Sequence, residues 1–296
     1  MDTQNLQAFL LVAETGSFSM AAEQLHLTQP AVSKRVALLE ERLQRSLFDR
    51  IGRNISLTEA GEALLPHAKR IAQELLFAVQ SVRDLEGEVG GTLRLATSHH
   101  IGLHRLPPIL SYYSKAFPQV HIDIDFMDSE QAYDLIAQGK AELAIVTLSP
   151  VDEGGMITRP IWRDPLDFMV QREHILADGG QLTLADLSAH PAILPGLNTY
   201  TGQIIKRLFD QQGMQLQVSM ATNYLETIRM MASVGLGWTI LPRSMADHSL
   251  EKLDVDNAHI ERTLGCVYHR DRSLSRAATA FMDALLQAAD PGMAAV

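Results

Sequence analysis

From Thr28 to Arg35 the chain reads TQPAVSKR, which gathers an amide, two hydroxyls and two cations at the start of a helical pattern. This is chemistry suited to nucleic acid. The Gln29 amide matches the donor and acceptor of adenine, and Lys34 and Arg35 suit guanine or phosphate. Thr28 and Ser33 suit phosphate or a base edge, while Pro30 and Ala31 fit a thymine methyl. Arg50 and Arg53 follow on a short segment that could lay arginines into a minor groove. Arg42 and Arg45 read as solvated or ion-paired cations.

A second set of polar residues stands where apolar runs end. Thr97-Ser98-His99-His100 follows LRLA, Met127-Asp128-Ser129 follows HIDIDF, and Thr147-Leu148 follows ELAIV. Open α/β sheets bind ligands beyond the carboxyl ends of their strands. Hydroxyls and free amide N–H groups before a helix favour an anion there. The candidate ligand contacts are therefore Ser98, His99, His100, Met127, Asp128 and Thr147, with a small anion or carboxylate as the expected class. His104 lies four positions after His100, the spacing of metal-binding pairs on one helix face. No acidic or cysteine ligand nearby in sequence completes that set, so neither a metal nor a cofactor is expected. Cys266 lies in an apolar run and reads as a small buried hydrophobe.

The elements that must position these residues are legible from spacing. Leu6, Phe9, Leu10 and Ala13 mark an amphipathic helix ended by Thr15-Gly16. Ser17 or Ser19 caps a second helix that buries Ala21, Ala22 and Leu25, and the two alanines allow a steep helix crossing. His26-Leu27 makes the turn, and Thr28 caps a third helix with Pro30 in its first turn. Val32, Val36, Leu39 and Leu43 form its inward stripe. Residues 47–57 read as two extended pieces around a Gly-containing turn, a wing with Arg50 and Arg53 near its tip.

A long helix then runs from Thr58 to about Glu88, with Pro66 a candidate kink and Gly90-Gly91 as its stop. Along it Leu64, Ala68, Ile71, Leu75, Ala78, Val82 and Leu85 repeat at spacings of four and three, a heptad seam. A seam so narrow and regular favours a second copy of the chain as its cover. After Thr92 strands at 93–96, 121–126, 142–146, 166–170, 190–195, 217–222, 237–242 and 265–270 are interspersed with helices at 103–117, 130–138, 202–212, 225–233 and 273–289. That alternation predicts an α/β fold with parallel sheets. Trp238 stands either in the core or on a cleft wall.

Composition bounds the class. A chain of 296 residues accommodates two domains, and 46% hydrophobic with 20% charged residues is ordinary for a globular protein. No run approaches the roughly 20 apolar residues of a membrane helix. Asp2 stands where a secretory signal would carry positive charge, and a single cysteine excludes a disulfide framework, so a cytoplasmic location is expected. The net charge of −10 is unevenly spread: residues 1–58 balance six Lys/Arg against six Asp/Glu, yet all six cations fall between 34 and 53. A basic segment on an acidic body suits a specific DNA reader or, equally on charge alone, a solvated helix face with chance clustering. There is no GxSxG elbow, no phosphate loop and no nucleophile with a base at readable spacing, so no enzyme is expected.

The segment LQAFLLVAETGSFSMAAEQLHLTQPAVSKRVALLEERLQRSLFDRIGRNISLTEAG resembles the N-terminal domain of LysR-type transcriptional regulators, and the order of parts is similar over the whole chain. The resemblance implies a winged helix-turn-helix DNA-binding domain over 1–58, a linker dimerisation helix over 59–89 and an effector-binding domain over 90–296. The last is expected to resemble a periplasmic binding protein, with subdomain I at 91–161 plus 266–296 and subdomain II at 162–265. It implies a homodimer through the linker helix, commonly a homotetramer, on double-stranded promoter DNA. RNA polymerase is a candidate further partner, and no membrane is. The family places effector contacts at the segment holding Ser98 and His100. From subdomain II, Leu197-Asn198-Thr199-Tyr200-Thr201 and Thr222-Asn223 would face the same cleft, with Leu197, Thr199, Thr201 and Thr222 as the expected contacts. The identity of the effector and the sense of regulation stay open.

Overall fold

The computed structural model describes residues 2–51, 54–83 and 89–293. It falls into two compact units, divided near Glu86 and Gly87. The first holds α1 (Thr3–Thr15), α2 (Phe18–Gln24), α3 (Gln29–Leu43), β1 (Phe48–Ile51), β2 (Asn54–Leu57) and α4 (Glu59–Arg83). Asp2 caps α1 through Gln4 N, and Gly16 ends it in the left-handed conformation at φ 63°. Ser17, and not Ser19, caps α2 by accepting from Met20 N. His26 takes φ 53° in the turn between α2 and α3.

Phe9, Val12, Ala21, Ala22, Val32, Val36, Leu39 and Phe48 pack into one core that holds α3 against α1 and α2. Leu43 departs from the expected stripe and is 37% exposed. Gln44 turns left-handed directly after it, so the chain leaves the core and Leu47 is buried instead. β1 and β2 pair antiparallel from Phe48↔Leu57 to Ile51↔Asn54. The Arg50 side chain and Arg53 lie outside the described residues.

Thr58 Oγ1 accepts from Gly61 N at the start of α4, and the helix continues through Pro66. Ala68 is buried in the helix-turn-helix core, whereas Ile71 and Leu75 stand exposed. The Val82 side chain and Leu85, the last positions of the expected seam, lie outside the described residues.

The second unit runs β3 (Gly91–Thr97), α5 (His99–His104), α6 (Leu106–Ala116), β4 (Val120–Phe126), α7 (Ser129–Gln138), β5 (Leu143–Thr147) and β6 (Met156–Gln171). It continues with β7 (Gln181–Leu182), α8 (Leu184–Ser188), β8 (Ala192–Leu194), α9 (Tyr200–Gln211), β9 (Val218–Ala221) and α10 (Leu225–Ser233). It closes with β10 (Trp238–Pro242), β11 (Leu250–Lys252), β12 (Asp254–Val255), β13 (Ile260–His269) and α11 (Arg276–Gln287). The single helix expected over 103–117 is two helices broken at Arg105. Pro107 and Pro108 fall in the first turn of α6, where a missing N–H costs nothing.

One nine-stranded sheet has the order β4-β3-β5-β13-β6-β10-β8-β9, with β11 added to β6. It is mixed, which corrects the expectation of parallel sheets. β4, β3 and β5 are parallel, as are β10, β8 and β9, but β6 and β13 run antiparallel to each other between these two sets. These two long strands tie the halves together, and their register shifts between Leu264 and Gly265.

Alternation along β5 explains the layering: Leu143 and Ile145 face Tyr113 and Phe281, while Ala144 and Val146 face Tyr133 and Ile136. In the other half Phe168, Trp238 and Ile240 meet Phe209 of α9, and Ile193 and Leu241 meet Ile228 of α10. Trp238 is therefore core and not cleft wall; its Nε1 donates to Leu187 O at 2.8 Å. Among the described residues no helix is long and apolar enough to cross a membrane.

Candidate nucleic-acid and ligand sites

The first turn of α3 projects from the helix-turn-helix core. Thr28, Gln29, Pro30 and Lys34 are exposed, and Ser33 and Arg35 are half-buried. Burial of Val32 and Val36 on the opposite side sets this orientation. Thr28 makes no side-chain capping bond. Arg35 is held, since its Nη2 donates to Gln4 Oε1 at 2.8 Å.

In the second unit a cavity of about 50 Å³ opens where strand ends and helix starts converge. Ser98, His99, His100, Met127, Asp128, Thr147, Thr199 and Thr201 all line it, as expected from the sequence; Leu197 and Thr222 do not. Thr222 instead follows the end of β9, its N–H donating to Leu194 O, and the Leu197 backbone lies close to Gly202. Ser129, Glu130, Pro195, Tyr200, Asn223, Leu225 and Arg262 complete the wall. The first turns of α7, α9 and α10 thus all contribute to it.

Arg262 had no place among the expected contacts. It lies on the first half of β13, a stretch not recognised as strand, and its partners are distant in sequence. Its Nε donates to Asp164 Oδ2 at 2.8 Å and its Nη1 to Thr201 Oγ1 at 2.9 Å. Its Nη2 is buried without a hydrogen-bond partner. The available signal was a lone cation in the alternating run IERTLGCV.

The cavity's acids, by contrast, are occupied. Asn223 Nδ2 donates to Asp128 Oδ2 at 2.7 Å, and the Tyr200 N–H donates to Glu130 Oε1. Tyr200 also donates its hydroxyl to Glu153 Oε1 at 2.8 Å. With the contact of His104 Nε2 to Glu226 Oε1 at 2.8 Å, these bonds link residues around β3–β5 to residues around β8–β10. Several of these bonds surround the cavity.

His100 is 4% exposed, and neither ring nitrogen has a hydrogen-bond partner. Burial, reinforced by the nearby Arg262 and His104, lowers its pKa to about 3. It is a neutral imidazole at physiological pH and presents one N–H and one lone pair. Cys266 is fully buried, and burial pushes its thiol up to about 12. It is not poised for redox chemistry.

An exposed helix start in one unit and a polar cavity in the other suit a ligand-responsive DNA-binding protein. Two family models account for the chain: a bacterial regulatory helix-turn-helix protein of the lysR family over residues 3–62, and a LysR substrate binding domain over residues 86–290. The chain belongs to the LysR family of transcriptional regulators, which are DNA-binding, effector-responsive proteins and not enzymes. It is 30% identical to the HTH-type transcriptional activator CmpR of Synechocystis, covering 94% of this chain and 93% of that one. It is also 30% identical to the RuBisCO operon transcriptional regulator of Acidithiobacillus ferrooxidans, over 97% and 94% of the respective chains. Full-length CbnR complexed with its target DNA shares the fold, with a TM-score of 0.67 and 22% identity over 98% of this chain and 100% of that one. The effector binding domain of QuiR in complex with shikimate superposes with a TM-score of 0.61 and 19% identity, covering 67% of this chain and 96% of that one.

Proposed function

We propose that the effector is a small anion or carboxylate held in the cleft, with Arg262 as its cationic anchor. The carrying observation is the buried, unpartnered Nη2 of Arg262 in the wall of a cavity whose carboxylates are already hydrogen-bonded. A buried donor without an acceptor is costly, and a ligand oxygen relieves that cost. The first turns of α7, α9 and α10 add favourable dipoles, and Ser98, Thr147, Thr199 and Thr201 supply hydroxyls. QuiR's domain was captured with shikimate, itself a carboxylate. The cavity's small volume selects a compact ligand, or one that enters as the cleft opens. A thermal-shift screen of inorganic anions and metabolic acids on the full-length protein tests this. Stabilisation by neutral or apolar compounds alone would sink the anion reading.

The output end follows from α3. We propose that Thr28, Gln29, Pro30, Ser33, Lys34 and Arg35 meet the major groove, with Arg50 and Arg53 on the wing serving the neighbouring minor groove. Gln29→Ala removes an adenine contact expected to discriminate by about 1–3 kcal/mol. The check is a gel shift on the chain's own upstream DNA at low salt, with a scrambled duplex as reference.

The proposed organisation is a DNA-binding domain over 1–58, a linker helix over 59–89 and an effector domain over 90–296, split into 91–161 plus 266–296 and 162–265. The exposed Ile71 and Leu75 support a homodimer through the linker helix, which can pair again into a tetramer. Sedimentation of the Leu75→Glu variant tests that seam, because a charge there should yield monomer. A cytoplasmic location and contact with RNA polymerase complete the reading.

A further inference from the structure

We propose that His100, His104 and Glu226 form a transition-metal site, with Zn²⁺ as the ion best matched to two imidazoles and one carboxylate. The sequence supplied only the histidine pair. Folding brings α10 against α5, and the ligand atoms of the three residues then lie within 4.8 Å of one another. The two rings sit one helical turn apart with centroids at 4.8 Å, and His104 Nε2 is already 2.8 Å from Glu226 Oε1. Tetrahedral zinc with bonds near 2.0–2.1 Å wants donors about 3.3 Å apart. Zinc binding would therefore draw the outermost donors together from 4.8 Å.

A second observation points to a ligand independently. His100 is 4% exposed, yet both its nitrogens lack any hydrogen-bond partner. Buried imidazoles ordinarily find one. A metal accepts one nitrogen's lone pair and accounts for the burial of the ring. Two arginines are near: Arg105 follows His104 in the chain, and Arg262 lines the cavity with His100. Both pair with Asp164, at 3.7 and 2.8 Å respectively, which moderates their repulsion of a cation.

Three protein ligands leave a coordination position open. Because His100 lines the cavity, the ion would stand at the cavity wall and tie α5 to α10 across the cleft. The assignment does not depend on the anion reading, since the metal alone is the probe.

The test uses untagged full-length protein, treated with a chelator and desalted, then titrated calorimetrically with ZnCl2 and separately with MgCl2. One Zn²⁺ per chain and no response to Mg²⁺ are expected. Outer partners of metal ligands already change affinity by about 10–100-fold, so His104→Ala and Glu226→Gln should each weaken zinc binding by at least about 100-fold. Both positions are substantially exposed, and Glu226→Gln preserves a hydrogen bond to His104, so the fold should survive; circular dichroism checks this. X-ray absorption of the zinc form should show two imidazoles with oxygen. Absence of zinc binding overturns the proposal. So does binding of equal strength in wild type and both variants, which would place the ion elsewhere, for instance at the His174–His190 pair.

Discussion

Arg262 and His100 face the same cavity but respond to pH and substitution in different ways. Arg262 needs its planar fork, because Nε serves Asp164, Nη1 serves Thr201 and Nη2 stays available. Lysine keeps the charge but cannot reproduce that geometry. Arg262→Lys should therefore lose most of the anion-induced rise in melting temperature while retaining the fold. An undiminished rise would remove Arg262 from the site.

His100 titrates in the opposite sense to a salt-bridged histidine. Its folded pKa is lowered to about 3 from 6.5, so below pH 6.5 the unfolded chain binds a proton that the folded chain refuses. Stability then falls as pH drops through that window, with a limiting slope of about 1.4 kcal/mol per pH unit. His100→Asn should abolish this component in chelator-treated protein. Urea unfolding of both proteins at pH 7, 6 and 5 decides it; parallel pH profiles would mean that His100 binds its proton equally well in the folded and unfolded chain.

Elements hold these residues through close backbone approaches. Gly202, in the first turn of α9, leaves no room for a side chain: a Cβ there would sit 2.1 Å from Gly196 O. Backbone cannot yield as a side-chain tip can, so Gly202→Ala must displace Thr199 and Thr201. A cost of about 1–3 kcal/mol in stability is expected, with weaker anion binding measured by calorimetry on the folded fraction. Unchanged binding would show that the α9 turn does not position the site.

The same elements explain what was legible in the sequence. Ser98, Asp128, Thr147 and Thr199 could be found because each follows an apolar run, and strand ends in α/β sheets converge. α2 could be found from its Ser17 cap and α3 from the inward stripe of Val32, Val36 and Leu39, because such signals are local. Arg262 and Glu226 could not, because their partners are set by the crossing of β6 and β13 and by closure of the cleft. Leu43 misled because its spacing fits α3, while the left-handed Gln44 that takes the chain out of the core carries no glycine to announce it. The antiparallel pairing of β6 and β13 was hidden for a related reason: only the far half of each strand has the apolar pattern of a buried strand.

At the scale of the whole molecule, the proposed regulation through the cleft requires it to exist in more than one state, and the bonds across it set the balance. Asn223 to Asp128, Tyr200 to Glu130 and Glu153, and His104 to Glu226 are all made in this structure, which we take as the closed form. An effector that binds only this form has an apparent affinity scaled by the closed fraction. Where the free protein is already mostly closed, losing one latch changes little. Where it is mostly open, the loss passes directly into affinity. A hydrogen bond worth about 1 kcal/mol corresponds to roughly a fivefold change in the second case.

Asn223 is a discriminating position, because its Oδ1 also accepts from Gly196 N. Asn223→Asp keeps that acceptor but sets a carboxylate against Asp128, and so opposes closure. The variant should bind the stabilising anion at least about fivefold more weakly, and small-angle scattering of the free variant should show an expanded effector unit. If affinity falls without expansion, Asn223 acts on the ligand directly. If neither changes, closure does not limit binding, and the signal to the DNA-binding unit must arise from another motion.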